Sequence, residues 1–127
     1  MKFFVDNNLG RQLADGMRGF GENMMHLLDE FPQDANDAEW LEYVGKNGLT
    51  LITRDKRIRW RPAELCALRT HKVGAFVLGG KNQTRCQLIQ QLVRNWPQIK
   101  ELAGKTKPPF AFQLPATGTK IRSITLS

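Results

Sequence analysis

Three aspartates that are far apart in the sequence lie at the ends of predicted strands or at the start of a predicted helix, and these elements could bring their carboxylates together. Asp6 directly follows the apolar run Phe3-Phe4-Val5, Asp55 comes two residues after Leu51-Ile52-Thr53, and Asp37 lies at the start of a helical segment. Hard divalent cations such as Mg²⁺ and Mn²⁺ take oxygen ligands. Carboxylate clusters around such ions orient an attacking water and stabilise both oxygens of a phosphodiester displacement. These residue types predict a metal-assisted hydrolytic site made of Asp6, Asp37 and Asp55.

The elements that must position these aspartates are predicted from apolar patterning and breaker residues. Short apolar runs predict strands at about 2–5, 23–28, 49–53 and 73–78. Helical spacing and capping residues predict helices at about 9–20, 36–46, 62–69 and 84–96, the last ending at Pro97. Strands that alternate with helices are typical of a parallel sheet covered by helices. Residues 105–127 depart from this pattern and predict an appended β-hairpin, or alternatively an arm that docks a partner.

The predicted sheet would deliver the three acids to one edge. In an open parallel sheet, ligands bind beyond the carboxyl ends of the strands. Asp6 ends the first strand, Asp55 follows the third, and Asp37 comes after the loop that leaves the second. Asp37 has a structural alternative, because an acid at a helix N-terminus complements the helix dipole. Glu39 competes with Asp37 as the acid of this segment.

The distribution of charge indicates a polyanionic partner. Residues 1–53 carry four Lys/Arg and nine Asp/Glu, a net −5, whereas residues 54–127 carry fifteen and three, a net +12. An acidic half suits a cation and a basic half suits a nucleic acid, although most single charges of this kind are ordinary solvated surface. Contacts to a nucleic acid are therefore predicted beside the acids and along the basic half, at Asn7, Arg54, Lys56, Arg57, Arg59, Trp60, Arg61, Lys81, Asn82 and Arg85.

Three segments resemble the motifs of PIN-like domains, and more narrowly the compact group related to the VapC toxins of toxin–antitoxin pairs. Phe3-Phe4-Val5-Asp6-Asn7-Asn8-Leu9 is similar to the first strand motif and Leu51-Ile52-Thr53-Arg54-Asp55-Lys56 to the third. Asp37-Ala38-Glu39-Trp40-Leu41 occupies the place of the central acid. The resemblance covers about residues 1–80.

The resemblance implies a fold, an activity and partners. The fold is α/β, a PIN-like three-layer α/β/α arrangement with a mainly parallel four-stranded sheet and the C-terminal hairpin. Residues 1–104 would form the nuclease domain, and residues 105–127 would pack on it as a β extension. The activity is that of an endoribonuclease that uses Mg²⁺ or Mn²⁺ held by Asp6, Asp37 and Asp55, with Glu39 as a further metal-ligating acid. Partners would be RNA, a cognate antitoxin protein and a second copy in a homodimer.

One departure from the larger PIN nucleases concerns the segment after the fourth strand. These nucleases have a further acid there, whereas this chain has Gly79-Gly80-Lys81-Asn82-Gln83-Thr84. Asn82 or Thr84 would then orient water or phosphate in place of a carboxylate.

Two other classes of function remain open at this point. One is a catalytically inactive PIN-like module that binds nucleic acid or a protein partner. The other is a receiver-like phosphoacceptor, which also has aspartates after its first and third strands but needs a lysine at the end of a fifth parallel strand. Cys66, Cys86, His26 and His71 lack zinc-ligand spacing. The apolar start stops at Asp6, short of a signal sequence, and no run reaches the length of a membrane span, so a cytoplasmic location is expected.

Overall fold

The computed structural model describes residues 1–55, 57 and 61–126, and strands and helices alternate along most of this range. The strands are β1 (Phe3–Val5), β2 (Met24–His26), β3 (Thr50–Thr53), β4 (Gly74–Leu78), β5 (Phe110–Leu114) and β6 (Arg122–Ser123). The helices are α1 (Arg11–Gly19), α2 (Leu27–Glu30), α3 (Asp37–Lys46), α4 (Pro62–His71) and α5 (Arg85–Lys105). Within these ranges, no helix combines the length and the apolar character that a membrane crossing requires.

The strands form one sheet in the order β2-β1-β3-β4-β5-β6. Strands β1 to β5 are parallel to their neighbours, and β6 pairs antiparallel with β5. The predicted α/β class and the C-terminal hairpin are confirmed. The parallel part has five strands rather than the four predicted, because Phe110–Leu114 pairs with Gly74–Leu78 as well as with β6.

Alternating side chains divide the core into two halves, one on each face of the sheet. Phe3 and Val5 pack on one face with residues of α1 and α5, such as Leu13 and Leu92. Phe4 packs on the opposite face with residues of α3 and α4. Because side chains alternate along a strand, each strand contributes to both halves. The result is the three-layer α/β/α arrangement that the sequence predicted.

Two elements differ from the sequence-based prediction. Strand β2 ends at His26 and leads at once into the short helix α2, where a strand and a polar loop were expected. Helix α5 continues through Pro97 to Lys105. A proline inside a helix leaves the carbonyl four residues earlier without its N–H partner. Here that residue is Val93, whose surface is 53% exposed, while Trp96 and Ile99 anchor the helix on both sides of the proline.

A hydrogen-bonded group around Asp29 joins β2, α2 and α1. One Asp29 oxygen accepts from the His26 backbone N–H at 2.8 Å and from Arg18 at 3.0 Å, and the other accepts from Arg11 at 2.7 Å. Burial by itself raises the pKa of Asp29, but these hydrogen bonds outweigh it and lower the pKa to about 2. The buried His26 ring accepts from the Leu28 N–H and donates to the Leu9 carbonyl. This group therefore holds the segment that follows Asp6.

We expect Asp29→Asn to lower the free energy of unfolding near neutral pH by about 1–2 kcal/mol, because an amide cannot replace the partners of a partly exposed carboxylate. The folded-state pKa lies below the ordinary value, so this stabilisation is present above about pH 4 and is lost as the pH falls through about 2. Urea unfolding of wild type and variant near pH 7 and near pH 2 measures the difference. Asp34→Asn, in the next loop, is the control. A wild type–variant difference that is the same at both pH values would contradict the role given to the Asp29 carboxylate.

Candidate active site

One pocket on the α3 and α4 side of the sheet is lined by all three predicted aspartates. Asp6, Asp37 and Asp55 share its walls with two further charged residues, Arg57 and Glu64. The apolar part of the wall consists of Trp40, Leu41, Leu51, Ala63, Ala67 and Leu68. Residues of β3, α3 and α4 therefore meet here with Asp6, which follows β1, at the edge where the parallel strands β1 and β3 end.

Asp6 is the most enclosed of the three aspartates. It follows β1, and its two oxygens accept from the Asn7 backbone N–H at 2.6 Å and from the Thr53 hydroxyl at 2.9 Å. Burial raises the pKa of Asp6, the two hydrogen bonds lower it, and the charges of Asp37 and Asp55 raise it again, with a net rise. The ionised form of Asp6 is thus held at an energetic cost that a nearby cation would relieve.

The Thr53 hydroxyl links the end of β3 to the end of β1. It is fully buried, donates to Asp6, and accepts from the Asn8 side chain at 3.2 Å and from the Asp55 backbone N–H at 3.0 Å. The Asn8 side chain in turn accepts from the Arg54 backbone N–H at 3.1 Å. These bonds fix the direction in which the chain leaves each strand, and so they place Asp6 and Asp55 relative to one another. The sequence reasoning did not single out Thr53 or Asn8.

Asp55 is paired with Arg57. The Arg57 side chain donates to both Asp55 oxygens, at 2.8 and 2.6 Å, and its backbone N–H donates to one of them at 3.0 Å. The hydrogen bond from the Arg57 side chain is the main cause of a lowered pKa at Asp55, burial opposes it, and the charge of Arg61 adds to the lowering. Asp55 is therefore an ionised carboxylate with a cation already beside it.

Asp37 is the first residue of α3 and is exposed. Asn36 caps this helix, because its side chain accepts from the Ala38 N–H at 2.8 Å. Asp37 lies in the first turn, where its charge also complements the helix dipole, the structural role that the sequence left open. One Asp37 oxygen accepts from the Trp40 indole N–H at 3.1 Å. That bond turns the carboxylate toward the pocket wall formed by Trp40.

Glu64, rather than Glu39, is the fourth acid of the pocket. Glu39 was predicted as a further ligand, but it is exposed and is not among the residues that line the pocket. Glu64 lies in the first turn of α4, and its buried Oε2 atom has no hydrogen-bond partner among the described residues. The signal in the sequence is Pro62-Ala63-Glu64, an acid in the first turn of the helix that follows Asp55.

The acids of the pocket are held by protein groups in this conformation. Among the residues that the structure describes, no three His, Cys, Asp or Glu side chains are arranged to hold one metal ion. Asp6 is held by Thr53 and Asn7, and Asp55 by Arg57. The four carboxylates thus share a pocket without converging on a single point.

The predicted RNA contacts fall into three groups. Asn7 and Arg54 are the chain neighbours of Asp6 and Asp55, and Arg57 lines the pocket. Arg61 precedes α4, where its charge lowers the pKa of Asp55. Lys81, Asn82 and Arg85 follow β4 and do not line this pocket; Arg85 lines an apolar groove between α1 and α5. The predictions for Lys56, Arg59 and Trp60 fall outside the described residues.

We expect Thr53→Val to lower the free energy of unfolding by about 1–3 kcal/mol, because it leaves buried hydrogen-bonding groups of Asp6 and Asp55 unpaired. It should also raise the pKa of Asp6 further, because the ionised carboxylate loses a donor. Urea unfolding and a carboxyl-carbon NMR titration of Asp6 measure the two effects. Thr50→Val, buried in the same strand away from the acids, is the control. An Asp6 titration that is the same in both variants would refute the linking role of Thr53.

The part of the chain that contains the acidic pocket matches a known protein family. A family model described as a PIN like domain matches residues 1–80. The matched segment contains β1 to β4 and every residue that lines the acidic pocket. No curated protein and no solved structure matches the chain. Since the match spans more than half of the 127 residues, the chain belongs to the PIN-like domain family.

Proposed function

We propose that this chain is a metal-dependent endoribonuclease that hydrolyses phosphodiester bonds of RNA. PIN-like domains are in general nucleases, and the chain belongs to that family. The observation that carries the proposal is the pocket in which Asp6, Asp37 and Asp55 meet although they come from three distant segments. Their charges also act on one another, because Asp37 and Asp55 both raise the pKa of Asp6.

The donor groups of the pocket suit a hard divalent cation. All four acids offer oxygen, which Mg²⁺ and Mn²⁺ prefer. Glu64 also has a buried oxygen to which no group in the described part of the chain donates a hydrogen bond. Asp6, Asp37 and Asp55 would hold the ion. When bound, such an ion lowers the pKa of a water molecule and neutralises the charge that develops on a phosphodiester.

Other residues of the pocket would orient the acids and contact the phosphate of a substrate. Thr53 and Asn7 hold the Asp6 carboxylate in one orientation, so little reorganisation is needed when a substrate arrives. Burial and the charges of Asp37 and Asp55 raise the pKa of Asp6, so its ionised form would be stabilised most by a cation held beside it. Arg61 is exposed at the start of α4, near enough to lower the pKa of Asp55, and is available to a phosphate group.

RNA is the substrate that the charge distribution and the motif resemblance favour. The net charge of +12 in residues 54–127 suits a polyanion. The similarity of the Asp6 and Asp55 motifs to the VapC-related group supports the more specific proposal that the chain is the toxin of a toxin–antitoxin pair. A cognate antitoxin protein and a second copy of the chain are the partners that this proposal implies.

The end of the fifth strand argues against the receiver-like phosphoacceptor, because the lysine that this function needs is missing there. The fold does have a fifth parallel strand, β5, in the neighbouring position that such a function requires. That strand ends at Leu114 and is followed by Pro115, so no lysine stands at its carboxyl end. The pocket also contains Arg57 paired with Asp55, the residue that would have to accept the phosphoryl group.

We expect Asp6→Asn, Asp37→Asn and Asp55→Asn each to reduce Mn²⁺-dependent cleavage of a single-stranded RNA by about 100-fold or more, the usual effect of removing one group that stabilises charge in the transition state. Glu39→Gln, an exposed acid on the same helix as Asp37, should retain most of the activity. Cleavage is followed on a labelled oligonucleotide, with a DNA of the same sequence and a chelator as further controls.

Two results would contradict the proposal in different ways. Cleavage that survives chelation and all three substitutions would show that the acidic pocket is not the site of hydrolysis. RNA binding without any cleavage across a titration of Mg²⁺ and Mn²⁺ would favour the inactive PIN-like binding module instead.

A further inference from the structure

The pocket of acids contains a basic side chain in direct contact with one of them. Arg57 donates three hydrogen bonds to Asp55, two from its guanidinium and one from its backbone N–H, at 2.6 to 3.0 Å. Both oxygens of Asp55 are thereby occupied by the same residue. The fork of the guanidinium matches the two carboxylate oxygens, which is the strongest geometry for such a pair.

Arg57 also acts on the other acids of the pocket. Its charge interacts favourably with Glu64 and Asp37 as well as with Asp55. Among the described residues that line the pocket, Arg57 is the only basic one, against four carboxylates. The described lining of the pocket therefore carries more negative than positive charge, which favours binding of a further cation.

A divalent ion cannot bind an Asp55 oxygen while the Arg57 guanidinium donates to both oxygens of that carboxylate. An ion bound to an Asp55 oxygen at about 2–2.6 Å would lie within a few ångströms of the guanidinium, and the two positive charges would repel one another. The Arg57 side chain is 49% exposed, so its guanidinium can be rehydrated when it leaves. Separating a partly exposed ion pair of this kind costs little free energy, whereas separating a buried pair costs more.

We propose that Arg57 is an internal counter-ion of the acidic pocket, which competes with the divalent cation for Asp55 and so sets the metal affinity of the site. This inference rests on the proposed metal-dependent function. It gives Arg57 a different role from the phosphate contact that the sequence predicted. In the absence of metal the guanidinium stabilises the clustered acids, and it moves off Asp55 when the divalent ion binds.

The test compares Mn²⁺ binding by the full chain with Arg57 unchanged, replaced by Gln or replaced by Lys. Isothermal titration calorimetry measures affinity in the absence of RNA, and thermal unfolding is recorded with and without Mn²⁺. Arg57→Gln should bind Mn²⁺ about fivefold more tightly, the change that corresponds to the loss of a partly exposed ion pair. Without metal it should unfold at a lower temperature than wild type, because the acids lose their counter-ion.

Two further variants distinguish the geometry of the Arg57–Asp55 pair from a general effect of charge. Arg57→Lys retains the charge but loses the planar fork, so its Mn²⁺ affinity should lie between those of wild type and Arg57→Gln. Arg69→Gln removes the same charge from an exposed residue of α4 that does not line the pocket, and its Mn²⁺ affinity should stay within about twofold of wild type in about 0.15 M salt. Should Arg57→Gln fail to fold, tighter Mn²⁺ binding by Arg57→Lys than by wild type and Arg69→Gln still supports the competition, and equal or weaker binding by Arg57→Lys still overturns it.

The outcomes separate this inference from the proposed function. Tighter binding in the Arg57 variants, together with lower stability without metal, supports competition at Asp55. Equal or weaker Mn²⁺ binding in these variants, when wild type binds, would overturn the inference and leave the metal site standing. No Mn²⁺ binding by any of the proteins would overturn the proposed metal site and this inference with it.

Discussion

The Thr53 hydroxyl, fully buried at the end of β3, donates to the Asp6 carboxylate and accepts the backbone N–H of Asp55. Through this single group the ends of two adjacent parallel strands are tied together. Two aspartates that are 49 residues apart in the sequence are thereby brought to one edge of the sheet. A buried hydroxyl with one donor and two acceptor interactions has little freedom to rearrange, so the position of one aspartate constrains that of the other.

The cost of this arrangement is the proximity of like charges. Asp6 and Asp55 respond to it in opposite ways: burial raises the pKa of Asp6, whereas the hydrogen bond from Arg57 lowers that of Asp55. Two chemically identical side chains on neighbouring strands thus have different proton affinities because their surroundings differ. The enclosed Asp6 carboxyl is therefore harder to ionise than the Asp55 carboxyl, which has the Arg57 guanidinium beside it.

Much of this fold could be predicted from the sequence because the strands of a buried parallel sheet are nearly continuous apolar runs. Phe3-Phe4-Val5 and Leu51-Ile52-Thr53 stand out in this way, and the residues that follow such strands must lie at the ligand-binding edge. The alternation of Phe110, Phe112 and Leu114 predicted a strand but not its neighbour, because the same pattern fits a separate hairpin or an edge of the sheet. Helix α5 was expected to end at Pro97, since a sequence does not reveal that Val93 faces solvent.

The composition of the pocket was harder to predict than its three aspartates. Glu64 and Arg57 are close to Asp55 in the chain, but whether they line the same pocket depends on where α4 begins and how it packs against the sheet. Glu39 is the plausible fourth acid by sequence alone, yet its place on α3 leaves it exposed and off the pocket wall. Side-chain direction on a short helix, rather than sequence proximity, decides which acid lines the pocket.

The central claim is that Asp6, Asp37 and Asp55 act together on one divalent ion. Anomalous diffraction from a crystal of the full chain soaked in Mn²⁺ addresses this claim most directly, because it locates the ion without reference to activity. We expect one strong peak in the pocket, with an oxygen of each of these three aspartates within about 2.6 Å of it or joined to it through one water. A crystal saturated with Mn²⁺ that shows no peak in this pocket, or a peak that involves none of the three carboxylates, would contradict the claim.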